Sequence, residues 1–185
     1  MKTIIALGGA SGSIFGTEFV KSCPGTKYLI ASKWGRIVLA QETGLSLESL
    51  SPHVKKIFPD EDLSCALASG SNASDAMVII PCSASTLAKI ACGIADSLTT
   101  RAAMVMLKER RRLILALRET PLSTITLEQM HKLSLAGAIL MPISPGFYSG
   151  AQSLQEMARE FSGRILQLLD PSAKPLHKNW KPEQL

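Results

Sequence analysis

Thr3–Ser13 reads TIIALGGASGS: a short apolar run, two glycines that stop it, and a small-residue loop whose last serine opens a helical pattern. A strand with no water-facing side belongs in a sheet covered on both faces. The same unit recurs along the chain. Lys27–Ala31 (KYLIA), Ala76–Ile80 (AMVII), Leu113–Leu117 (LILAL) and Ala138–Met141 (AILM) are further apolar runs. Helical patterns lie between them. The first runs from Ser13 with Ile14, Phe15, Phe19 and Val20 on one side, and the second from a capping Ser32 to about Gln41. The others are Ser83–Cys92, Thr99–Arg110, Leu127–Leu135 and Ser153–Leu169. Residues 44–74 are less regular; a third strand is expected within His53–Phe58, and Ala68–Asn72 (ASGSN) reads as loop. Pro81 is expected to close the strand before it. Apolar strands alternating with helices imply a single doubly wound α/β domain over residues 1–170 with a mostly parallel sheet. Residues 171–185, rich in proline and lysine, read as a tail without a core of its own, packing on a neighbouring subunit.

The composition agrees. Of 185 residues, 46% are hydrophobic and 19% charged, which suits one globular domain and excludes a disordered chain. Aromatics are only 5%, so Ala, Leu, Ile and Val must build the core. No apolar run reaches the roughly 18 residues of a membrane span, and the first strand is too short for a signal-peptide core. The cytoplasm is the expected location. Cys23, Cys65, Cys82 and Cys92 form no CxxC pair and no zinc-like spacing with histidine, so no metal is expected. The net charge of +5, from 20 basic and 15 acidic residues, suits an anionic ligand. The basic run Lys108–Arg112 (KERRR) reads as a solvated helix end, and no nucleic-acid motif accompanies it.

Sheets of this kind bind ligands at the carboxyl ends of their strands, so the residues just after each strand carry the functional information. After the first come Gly8, Gly9, Ala10, Ser11, Gly12 and Ser13. Glycine permits close backbone approach, and free N–H groups opening the next helix suit phosphate. The spacing is neither GxGxxG nor a Walker loop, and a turn with capping serines would account for it without any ligand. After the second strand comes Ser32. After Ile80 comes Pro81-Cys82-Ser83-Ala84-Ser85-Thr86, a second group of N–H and O–H donors suited to a phosphate or a flat heterocycle. Cys82 has no nearby histidine to make it a nucleophile. After Leu117 come Arg118 and Glu119; the arginine fork fits a phosphate or a flavin carbonyl edge, and a surface ion pair is the plain alternative. After Met141 a stiff loop ends in Phe147 and Tyr148.

Taken in order, these segments resemble the flavin prenyltransferases, the UbiX-type family. The matching pieces are GGASGS at 8–13, SK at 32–33 with Glu42 beyond it, and ASGS at 68–71. PCSASTLAKIACGIADSLTTRAA at 81–103, LKERR at 107–111 and LRETPL at 117–122 follow, then PGFY at 145–148 and QSL at 152–154 ahead of Arg164. Met104, Arg112 and Leu63 depart from the family's usual Asp, Pro and nearby Trp.

The resemblance implies a flavodoxin-like, Rossmann-related fold. It implies transfer of a dimethylallyl group from dimethylallyl phosphate to N5 and C6 of reduced FMN, without a metal. The product, prenylated FMN, would serve a UbiD-type decarboxylase, including those of ubiquinone biosynthesis. A homo-dodecamer with active sites at subunit contacts is also implied. By motif, Gly9, Ala10, Ser11, Ser32, Ser83, Ala84, Ser85, Thr86 and Arg118 would bind FMN. Tyr148 and Arg164 would hold the prenyl phosphate with Lys108 near the same anion, Glu42 and Glu119 would be the acidic catalytic positions, and Trp180 would help close the pocket. A flavin-containing cysteine decarboxylase of the same fold is the rival, but positions 13–23 lack its histidine and Pro142–Pro145 replace its PxMNxxMW segment. A non-catalytic FMN-binding protein is the third reading. Either Glu119 or the departing phosphate would take the proton released on ring closure.

Overall fold

In the computed structural model, which describes residues 1–72, 74–172 and 176, the apolar runs are the strands of one sheet. They are β1 (Lys2–Leu7), β2 (Thr26–Ala31), β3 (Lys56–Pro59), β4 (Ala76–Cys82), β5 (Arg112–Leu117) and β6 (Ile139–Leu140). All adjacent pairs are parallel, in the order β3-β2-β1-β4-β5-β6. The doubly wound class expected from the sequence is the one observed, with the strand order of the Rossmann form. The helices are α1 (Ser13–Ser22), α2 (Lys33–Thr43), α3 (Ala84–Ala91), α4 (Leu98–Lys108), α5 (Thr124–Leu135) and α6 (Leu154–Leu169).

Alternation along each strand sends its apolar residues to two cores. Ile4, Ala6, Met77, Ile79, Leu113 and Leu115 meet α3, α4 and α5 through residues such as Leu87, Ala102 and Leu133. Ile5, Leu7, Val78, Ile80, Ile114 and Ala116 meet α1, α2 and α6 through Phe15, Phe19, Leu39 and Ile165. Gly16 lets α1 lie on the sheet, since a Cβ there would stand 2.6 Å from the Ile80 carbonyl oxygen. Serines open most of the helices: Ser32, Ser83, Ser97, Ser123 and Ser153 each accept a backbone N–H of the first turn.

Some boundaries differ from expectation. β4 does not close at Pro81 but runs on to Cys82, with a register irregularity between Ile79 and Cys82. Proline lacks a donor, yet its carbonyl still accepts the Gly8 N–H at 3.0 Å, and the Cys82 carbonyl accepts that of Arg118 at 3.0 Å. β3 starts only at Lys56, because Glu48–His53 winds into a 3₁₀ turn around Pro52. α4 stops at Lys108, and the chain turns back through Arg110 at φ 55°. Arg112 donates to the Leu169 carbonyl, joining the start of β5 to the end of α6. Trp180 and most of the 171–185 tail lie outside the described residues; Leu176 packs against the α1/α6 core.

Candidate active site

The connections leaving β1 and β4 run to opposite sides, so a crevice opens between their carboxyl ends. The Gly8–Gly9 turn lies in it. A Cβ on Gly8 would stand 2.5 Å from the Pro81 oxygen, and one on Gly9 would stand 2.5 Å from Cβ of Trp34. Any side chain would push the loop out of the crevice.

One cavity of about 420 Å³ is lined by Gly9, Ser32, Trp34, Ser83, Ser85, Thr86 and Thr99. The Ser32 and Ser83 hydroxyl oxygens accept the N–H groups of Gly35 at 3.0 Å and Thr86 at 3.2 Å, which fixes both side chains. Ser83 and Thr86 also exchange a hydroxyl bond at 3.0 Å. Among the described residues the Thr99 hydroxyl is buried without a partner, and its backbone N–H donates to Asp60 Oδ1 at 2.8 Å. Thr99, Asp60 and Trp34 escaped the sequence reading. For Asp60 the available signal was an acidic residue just after β3.

A second cavity of about 550 Å³ lies beside it, lined by Ser11, Gly12, Phe15, Glu42, Arg118, Ile143 and Pro145. Arg118 is half-buried, and its Nε has no partner among the described residues. Glu42 corrects one expectation. The N–H groups opening α1 are not free, because the Glu42 carboxylate accepts those of Gly12 at 2.9 Å and Ser13 at 2.8 Å. Gly12, at φ 104°, offers no capping side chain, so an acid from α2 takes the position a bound anion would have held. Partial burial opposes charge on Glu42, but hydrogen bonds from the Ser11 hydroxyl and the Ser13 and Gly12 N–H groups outweigh it. They hold the carboxyl below its usual range.

A third cavity, about 440 Å³, adjoins the second through Pro145 and is lined by Ser144, Tyr148, Glu160, Phe161 and Arg164. Tyr148 is 50% exposed, and Arg164 Nη1 donates to Gln167 Oε1 at 2.9 Å. Glu119 is exposed and turns its carboxylate back onto the Thr120 N–H at 3.0 Å.

Lys108 is elsewhere. It lines a cavity between α3, α4 and α5 with Met104, Leu107, Arg110 and Lys132, and its Nζ meets Glu109 Oε1 at 2.8 Å. Within one protomer it therefore does not share a cavity with Tyr148 and Arg164. Burial pushes the Cys82 thiol up to about 12, so it is no nucleophile at neutral pH. Among the described residues no cluster of three or more His, Cys, Asp or Glu could hold a metal, and no helix is long and apolar enough to cross a membrane.

Residues 1–160 match the family described as Flavoprotein. The chain is 41% identical over 181 residues to the flavin prenyltransferase UbiX of Thermoplasma acidophilum, covering 97% of this chain and all of that one. It belongs to the flavin prenyltransferase family. A second relative, the mitochondrial flavin prenyltransferase PAD1 of Saccharomyces cerevisiae, is 38% identical over 89% of this chain and 69% of its own. Among solved structures, AnUbiX in complex with FMN and dimethylallyl pyrophosphate superposes with a TM-score of 0.93 at 34% identity, over 97% of both chains. A dodecameric FMN-dependent UbiX-like decarboxylase from Escherichia coli O157:H7 gives the same TM-score over 98% of this chain and 100% of that one. The peptidyl-cysteine-decarboxylase side of the fold is more distant: EpiD of Staphylococcus aureus is 23% identical at a TM-score of 0.62 and shares the fold alone.

Proposed function

We propose that the three adjoining cavities are the active site of a flavin prenyltransferase, which transfers a dimethylallyl group from dimethylallyl phosphate to N5 and C6 of reduced FMN. The observation that carries this reading is the adjacency, at the β1/β4 crevice, of a hydroxyl-lined cavity, a slot walled by Arg118, and a cavity holding Tyr148 and Arg164. The residues fit FMN: Gly8 and Gly9 leave room where a Cβ would clash, and the Arg118 Nε and the Thr99 hydroxyl are buried donors lacking a partner among the described residues. Bound FMN supplies the nucleophilic ring nitrogen and carbon.

The chain supplies the rest. Ser32, Ser83, Ser85 and Thr86, with Gly9, Ala10 and Ser11, hold the FMN phosphate and polar chain, and Arg118 faces the flavin ring edge. The N–H groups opening α3 take the anion role that Glu42 removes from α1. Tyr148 and Arg164 grip the leaving phosphate. Charge grows on that phosphate as the allylic carbon–oxygen bond breaks, and donors fixed in advance stabilise it without rearranging. Lys108 joins them from a neighbouring protomer; its position in a separate cavity from Arg164 within one chain supports this. Glu119 takes the proton released on ring closure. Glu42 holds the Ser11–Ser13 loop in place beside the flavin.

The proposed assembly is a homo-dodecamer in the cytoplasm. The product, prenylated FMN, passes to a UbiD-type decarboxylase. Anoxic incubation with FMN, dithionite and dimethylallyl phosphate, followed by mass analysis of the flavin, tests the reaction. A gain of one dimethylallyl unit is expected, and unaltered FMN in a flavin-loaded protein would overturn it.

A further inference from the structure

We propose that Gly70 and Glu109 are positioning residues for Lys108, which they hold as a preset cationic arm at the end of α4. This rests on the reading that Lys108 reaches the donor phosphate of a neighbouring protomer. Residues adjacent in sequence do not face each other on a helix. Yet Lys108 Nζ lies 2.8 Å from Glu109 Oε1, because α4 ends there and Glu109 has left helical geometry at φ −88° and ψ 5°.

The pair lies over Gly70. A Cβ on Gly70 would stand 2.3 Å from Glu109 Oε1 and 3.0 Å from Lys108 Nζ. Unlike Gly12 or Gly44, Gly70 is not in the left-handed region, so its backbone conformation does not call for glycine. What calls for it is the space the pair occupies. Arg111 closes the arrangement. It donates through Nη2 to the Gly70 carbonyl at 3.0 Å and through Nη1 to that of Asn72 at 3.5 Å, and it stands 3.9 Å from Glu109 Oε2. The ASGS loop at 68–71 and the LKERR segment at 107–111 thus form one unit around a lysine whose side chain is 62% exposed. The hydrogen bond and charge of Lys108, with a smaller contribution from Arg111, hold the Glu109 carboxyl low, so the anchor stays ionised at neutral pH. A lysine stem already confined loses less freedom when it meets an anion.

The test measures calorimetric binding of dimethylallyl phosphate to protein loaded with oxidised FMN, which binds without turnover, together with KM, kcat and the FMN dissociation constant. Gly70→Ala displaces only the mobile ends of two side chains, so the fold survives it. Gly70→Ala and Glu109→Ala should each weaken donor binding about 2- to 5-fold, raising KM while FMN affinity stays put. Glu109→Gln should recover part of the loss, because its amide oxygen still accepts from Nζ. In a Lys108→Met background Gly70→Ala should add nothing. Weakening that persists in that background would mark ordinary structural damage and overturn the proposal. Donor binding unaffected by Lys108→Met would overturn the reading of Lys108 itself. An effect of Lys108→Met with none from Gly70→Ala or Glu109→Ala would overturn the positioning role alone.

Discussion

Glu42 and Gly12 stand 30 residues apart in the chain, and the carboxylate of one closes the helix begun by the other, with Gly12 N–H donating to Oε2 at 2.9 Å. The loop that carries Ser11 is therefore anchored by α2, and the N-terminus of α1 is already satisfied by the protein itself.

Glu42→Ala should destabilise the fold by about 0.5–2 kcal/mol, the range for losing a helix cap. The sign with pH follows from the lowered carboxyl. Its contribution is full above the ordinary carboxylate range of the unfolded chain, and is lost as pH falls through the lower value of the folded state. Thermal unfolding of wild type and variant should thus differ at neutral pH and converge in strong acid. A constant gap across that range would mean the charge of Glu42 is irrelevant.

Arg118 tests the flavin slot. Its Nε is buried without a partner among the described residues, an arrangement that costs about 1–3 kcal/mol unless a ligand satisfies it. Arg118→Ala should lower FMN affinity by roughly 10- to 100-fold while leaving thermal stability of the flavin-free protein unchanged or higher. Quenching of FMN fluorescence on titration reads the first, and unfolding midpoints the second. Undiminished flavin binding would remove Arg118 from the slot.

Most strands were legible because each carries an unbroken apolar run, such as Ile4–Leu7, Tyr28–Ala31, Ala76–Ile80 and Leu113–Leu117, and a sheet covered on both faces is the natural place for such runs. Post-strand residues were legible as site residues because parallel sheets gather them at one edge. Two features were not. The extension of β4 through Pro81 depends on carbonyls that accept Gly8 and Arg118, partners supplied by other parts of the chain. The distance of Lys108 from Arg164 depends on which sheet face α4 covers, which no local pattern encodes. Adjacent residues also parted ways: Arg118 lines the slot, whereas Glu119 beside it stays exposed.

Cys82 should be chemically silent despite its place beside Ser83. Its thiol is fully buried and pushed up to about 12. Iodoacetamide should leave Cys82 unmodified in the folded protein and label it after denaturation, as read by peptide mass mapping. Labelling of Cys82 in the native state at neutral pH would contradict both its burial and its exclusion as a nucleophile.

Arg164→Ala should separate binding of the acceptor from chemistry. The side chain lines the Tyr148 cavity, apart from the Gly9–Ser83 crevice, and donates to Gln167. FMN affinity should hold within a factor of about two, while prenyl transfer falls by ~2–4 kcal/mol of transition-state stabilisation, or roughly 30- to 1000-fold. Unchanged turnover would take Arg164 out of the reaction.

Glu119 bears on proton transfer. It follows Arg118 directly, is exposed, and has one carboxylate oxygen engaged by the Thr120 N–H at 3.0 Å, which leaves the other free to meet a ligand. Glu119→Gln preserves the shape and the Thr120 contact but cannot carry a proton, a role that typically contributes ~10²–10⁴-fold. Formation of prenylated FMN should slow by that order while FMN still binds. Were Glu119 merely a partner orienting Arg118, the substitution would instead weaken FMN binding. Wild-type rates with wild-type FMN affinity would exclude both roles and leave the departing phosphate as the base.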